Sequence, residues 1–119
     1  TMSNKGEWMG TRYFKDYNIE MFTERQNMPE SSDRAIGWDT PSQGGKSSAG
    51  DYFSNASYGH LGFTGTSFWI DPENDIVVVL LTNRVHPTRK NKGIYGIRRA
   101  FHTKVMKEIL NQSDSVGLN

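Results

Sequence analysis

The run Ile76-Val77-Val78-Val79-Leu80-Leu81 constrains this chain more than any other stretch. An unbroken apolar run rich in β-branched residues, too short for an isolated helix, suits a pleated strand, and we expect one buried on both faces. Just before it, Asp71-Pro72-Glu73-Asn74-Asp75 offers a proline with preset φ and an asparagine that tolerates the left-handed conformation of a hairpin corner. The segment from about His60 to Ile70 therefore reads as the antiparallel partner strand. Its first half is polar and glycine-rich, with His60, Gly62, Thr64, Gly65, Thr66 and Ser67 ahead of Phe68-Trp69-Ile70. Glycines weaken a strand and are tolerated where another group must come close to the backbone. A ligand is one candidate for that group.

The remaining elements follow from period and punctuation. Glu7 to Phe14 places two short apolar clusters around Gly10, which suggests a turn or short hairpin. Asp16 can cap a helix from Tyr17 to about Arg25, with Ile19, Phe22 and Met21 on its buried side and Pro29 as its stop. Ala35-Ile36-Gly37-Trp38 reads as a short strand, and the Gly/Ser-dense segment from Pro41 to Ala56 as a long loop leading to His60. After the polar connection Pro87 to Gly93, Ile94, Ile97, Phe101, Val105 and Ile109 recur at helical spacing, predicting a helix from about Ile94 to Asn111. Arg98, Arg99, Lys104, Lys107 and Glu108 are assigned to its opposite, solvated face. The tail from Ser113 to Asn119 is read as frayed. Together these give an α+β fold: an antiparallel sheet of about three strands, a C-terminal amphipathic helix packed on it, and a short helix near the N-terminus.

Composition narrows the partners. A net charge of +1 gives no global field for nucleic acid or membranes, and no nucleic acid partner is expected. With no cysteine there are no disulfides or thiolate sites. Hydrophobic residues are 34% of the chain, low for a self-sufficient core and fitting a piece that lacks its partner layer. Eight of the 14 Lys and Arg fall between Arg84 and Lys107 with no acid among them. They form either a solvated helix face or a patch for an anionic polymer.

The run GHLGFTGTSFWIDP, followed by the apolar strand and LTNRVHP, resembles the C-terminal signature of the serine β-lactamase-like superfamily. That group includes class C β-lactamases, DD-peptidases and related esterases. His60-Leu61-Gly62 matches the His-x-Gly form of the triplet on the strand edging the family's active site. Arg34 to Thr40 resembles the strand that precedes it, and GTRYFKDYNIEMFTERQ the linker and short helix before that. The resemblance implies a partial β-lactamase/transpeptidase-like fold with 1–33 as turn and short helix, 34–87 as strands and active-site-edge hairpin, and 94–111 as C-terminal helix. The family's nucleophile motif, Ser-x-x-Lys, and its second motif, Tyr-x-Asn or Ser-x-Asn, are missing here and normally lie upstream. We therefore expect a C-terminal piece of a larger hydrolase domain, whose first partner is the missing N-terminal part.

By the same resemblance, an upstream serine would attack an acyl carbonyl and an upstream lysine or tyrosine would take its proton. Small-molecule or peptide acyl substrates are implied: a β-lactam, a peptidoglycan peptide or an ester, with no cofactor. A periplasmic, secreted or cell-envelope location in a bacterium follows on the same ground. His60 is the candidate acid/base or donor to a substrate carboxylate, as an imidazole exchanges protons near neutral pH. Gly62 either lets substrate approach or relieves crowding. The N–H of Phe63 would supply half of an oxyanion hole. Thr64 and Gly65 continue the edge as substrate-binding positions, their polar groups otherwise satisfying backbone neighbours.

No metal site is expected. Asp71, Glu73 and Asp75 alternate like calcium ligands but lack the glycine and terminal glutamate of an EF-hand loop, and read as a solvated turn. His60, His86 and His102 show no metal-ligand spacing. The rival to a hydrolase is a non-catalytic module on the same scaffold, binding through its basic helix face. The isolated piece would leave one sheet face and the His60 edge uncovered, so we expect it to oligomerise or to be covered by the rest of its domain.

Overall fold

The computed structural model describes the backbone of residues 1–116 and the side chains of residues 1–111. Strands β1 (Glu7–Trp8) and β2 (Thr11–Arg12) pair antiparallel. Between them Met9 and Gly10 have φ of 49° and 76°, the two left-handed residues that a two-residue hairpin turn requires. The expected short hairpin is present. Helix α1 (Asp16–Thr23) opens at Lys15 without a side-chain cap, so Asp16 is its first residue and not its cap. It ends where Glu24 becomes extended, well short of Pro29. Ile19 alone is buried, and Met21 and Phe22 are 47% and 43% exposed. This short helix buries one side chain, and its Phe22 carbonyl accepts from the Ile36 N–H at 3.1 Å.

The expected strand at Ala35–Trp38 is instead a tight loop. The Ala35 N–H donates to the Trp38 carbonyl, and Arg34 and Asp39 pair across it. Its link to the sheet is a single bridge, with Asp39 and Gly59 exchanging N–H···O bonds of 2.8 and 2.9 Å. The Trp38 ring meets Tyr58 and Phe68 edge-on, with centroids 5.2 and 5.9 Å apart.

The main sheet is a meander of β3 (Tyr58–Leu61), β4 (Ser67–Asp71) and β5 (Ile76–Leu80), each antiparallel to the next. The segment expected as one strand from His60 to Ile70 is therefore two strands and a turn. The Gly62 N–H donates to the Thr66 carbonyl at 2.7 Å and the Gly65 N–H to the Gly62 carbonyl at 3.0 Å. Gly65, at φ 99°, takes the positive dihedral that closes the turn. At the β4–β5 corner the left-handed residue is Asp75, at φ 53°, and not Asn74.

Register sets the two faces. Gly59, Trp69 and Val78 align across the sheet, and Trp69 and Val78 join Ala49, Phe53 and Met106 in the core cluster. A Cβ at Gly59 would lie 2.8 Å from the Trp69 indole, so glycine lets that ring lie against β3. The next row, His60, Phe68 and Val79, faces the other way. On that side Val77, Val79 and the following Leu81 are 52%, 54% and 78% exposed. The β5 strand is thus covered on one face, not both. The expected open sheet face is open along β5 and at His60, while Tyr58 and Ile70 on the same side are buried and Trp38 packs on Tyr58.

Helix α2 (Ile94–Val116) packs on the core face and extends past the expected end at Asn111. It continues through part of the segment read as frayed, whose last residues, 117–119, lie outside the described residues. Its buried line is Ile94, Arg98, His102 and Met106, while Ile97 is 55% exposed. Phe101 and Val105 flank the core cluster as expected. The assignment of Arg98 to the solvated face is corrected: it is 4% exposed. The loop from Pro41 to Ala56 has no helix or strand, as expected, but it is packed. Ala49 and Phe53 enter the core, and Asp51 pairs with Arg99 of α2 at 2.8 Å.

Candidate active site

The candidate residues lie at the turn end of the β3–β4 hairpin. His60 is exposed near the end of β3, and its Nδ1 is 2.9 Å from the Leu61 carbonyl oxygen. A carbonyl only accepts, so Nδ1 carries the proton of the neutral ring and Nε2 is left with a lone pair. His60, Leu61, Gly62, Thr66, Phe68 and Val79 line an open depression of about 270 Å³ on the uncovered side of the sheet. A Cβ on Gly62 would meet the Thr66 Oγ1 at 2.0 Å. Glycine there leaves room for the Thr66 hydroxyl inside the turn, which a larger residue would force to rotate away.

Phe63, Thr64 and Gly65 lie outside that depression, in the turn itself. The Phe63 ring is 61% exposed and sits between two guanidinium groups, Arg84 at 4.8 Å and Arg89 at 5.4 Å from its centroid. Its N–H has no acceptor among the described residues. Thr64 is exposed and Gly65 buried. Ser67 turns inward, with Oγ 2.9 Å from the His102 Nε2. That serine–histidine pair offers no nucleophile, since Ser67 is 3% and His102 0% exposed and, among the described residues, no carboxylate orients the imidazole.

Two residues of this region escape a reading by residue type. Arg98 reaches from α2 to the turn, donating from Nε to the Gly65 carbonyl at 3.1 Å and from Nη2 to the Gly62 and Thr66 carbonyls at 2.7 and 2.9 Å. His102 is pushed down to about 4 by burial and then by the Arg98 charge, so it is neutral at physiological pH. Ile94, Arg98, His102 and Met106 share a four-residue spacing, the one signal that marks a helix face regardless of polarity. The turn Asp71–Asp75 is likewise not simply solvated, because Asp71 has no exposed surface. Among the described residues no cluster of three or more His, Asp or Glu is arranged to hold a metal.

The model of the beta-lactamase family matches residues 20–101, which include the whole hairpin, its turn and the first part of α2. The chain belongs to the beta-lactamase family. Among its relatives, a protein of Salmonella paratyphi B named "Putative D-alanyl-D-alanine carboxypeptidase" is 35% identical over 86 residues, covering 71% of this chain and 19% of that protein. A protein of the same name from Salmonella gallinarum is 37% identical over 89 residues, with the same coverage. This beta-lactamase-family chain thus spans about a fifth of the length of the curated relatives it matches.

Proposed function

We propose that this chain forms one wall of the acyl-transfer site of a serine hydrolase whose nucleophile lies in upstream sequence. The observation that carries the proposal is His60 beside Gly62 on an open strand edge, its tautomer set by the Leu61 carbonyl. A substrate laid against this edge would meet the Nε2 of His60 as acid/base or hydrogen-bond partner, and the N–H of Phe63 as half of an oxyanion hole. The other half would be the N–H of the serine nucleophile. The relatives' names favour peptides ending in D-alanyl-D-alanine over β-lactams and simple esters as substrates. Such substrates fit a location in the bacterial cell envelope or periplasm. No helix of the described residues is long and apolar enough to cross a membrane.

The reading as a non-catalytic basic module has fewer free charges to draw on than the sequence suggests. Arg98 is buried, Arg84 donates to the carbonyls of Phe63, Arg89 and Asn91, and Arg99 pairs with Asp51. The two readings separate in one experiment: intact mass spectrometry of the protein expressed with its upstream sequence, after exposure to a fluorophosphonate or a β-lactam. The hydrolase reading predicts a covalent adduct on an upstream serine. A folded protein that takes up neither probe contradicts it.

A further inference from the structure

Every carbonyl of the turn from Gly62 to Thr66 accepts a hydrogen bond from the chain itself. Arg98 takes those of Gly62, Gly65 and Thr66. The Phe63 carbonyl accepts from the Arg84 Nε at 2.8 Å, and the Thr64 carbonyl from the Arg84 N–H and the Thr82 hydroxyl at 2.8 and 3.1 Å. Arg98 is the unusual member of this set. It is almost fully buried, and among the described residues no carboxylate forms an ion pair with it. Asp39 attracts it only from beyond ion-pair distance, a buried guanidinium without a contacting carboxylate is costly to keep, and backbone carbonyls are its sole described hydrogen-bond partners. Lysine could not replace it bond for bond, since only the planar fork spans carbonyls on both sides of the turn at once.

We infer that Arg98 is a positioning residue of the acyl-transfer site, fixing the end of β3 that carries His60 and Gly62 from the face of the sheet opposite the substrate. The inference rests on the hydrolase reading. Gly62 is pinned through its carbonyl, and Thr66, whose carbonyl Arg98 also holds, bonds back to the Gly62 N–H. The strand end and the Phe63 amide thus have one place to be. Misplacement of such groups by about 1 Å costs on the order of 10²-fold in rate.

The test uses the protein with its upstream sequence and three variants: Arg98→Met, Arg98→Lys and, as a control one residue along the helix, Arg99→Met. We expect acylation by a β-lactam or ester to slow about 10²-fold in Arg98→Met with little change in KM, less in Arg98→Lys, and not in Arg99→Met. Hydrogen exchange of the peptide spanning residues 58–67 should quicken in the Arg98 variants alone. If Arg98→Met does not fold, Arg98→Lys carries both measurements. Wild-type acylation in the folded Arg98 variants, or an equal loss in Arg99→Met, overturns the inference, as does faster exchange without slower acylation. A wild-type protein that acylates nothing overturns the hydrolase reading instead, and exchange still decides whether Arg98 holds the turn.

Discussion

Asp71 has no exposed surface, yet its carboxylate accepts five hydrogen bonds: from the N–H and hydroxyl of Ser54, the N–H of Glu73, and the N–H and side-chain amide of Asn74. Burial alone would raise its pKa, but these donors outweigh burial and hold the carboxyl below the ordinary aspartate value of 3.8. Between that lowered value and 3.8 the unfolded chain binds the extra proton. The contribution of Asp71 is therefore complete above this window and lost as pH falls through the folded value. Replacing Asp71 with Ala strands several buried donors and should cost about 2–4 kcal/mol in urea unfolding. A loss below about 1 kcal/mol would mean that water reaches those donors. Sequence reasoning placed Asp71 and Arg98 in solvent because it sorts residues by type. Asp71 takes two of its five hydrogen bonds from Ser54, far back in the chain, and Arg98 all of its own from the Gly62–Thr66 turn, and no local pattern announces those distant partners.

Helix α2 and the hairpin it braces respond to pH through His102. Its folded value near 4 lies below the free imidazole value of 6.5, so between these limits the unfolded chain binds more protons. Stability should be full above pH 6.5 and fall as pH drops toward 4, by about 1.4 kcal/mol per unit. Urea midpoints measured across this range should lose that slope in His102→Gln. A slope unchanged by the substitution contradicts the assignment. Gly65 tests the turn in another way. A Cβ there would meet the Thr82 Oγ1 at 2.3 Å and Ile94 at 3.0 Å, at φ 99°, so Gly65→Ala should cost about 1–3 kcal/mol. At this scale the apolar run of β5, the β1–β2 hairpin and the start of α2 were legible, because period and turn residues are local signals. The division of β3 from β4 was not: a glycine-rich strand and a glycine-rich turn look alike until Gly62 and Thr66 are seen to bond.

For the whole molecule, the α+β class and the open sheet face follow from the sequence, while the packing of the long loop into the core does not. The Cα radius of gyration is 15.6 Å, larger than the roughly 13.5 Å of a self-contained domain of this length. Val77, Val79 and Leu81 stand on the uncovered side, next to the depression at His60. We expect this chain, studied by itself, to self-associate through that face, and Val79→Lys to weaken the association. Sedimentation showing a compact monomer at all concentrations contradicts this. The most direct test of the central claim is the acylation rate of His60→Ala, followed by intact mass in the protein that includes its upstream sequence. A loss of about 10²-fold or more with the fold intact is expected. Acylation at the wild-type rate would remove this strand edge from the chemistry.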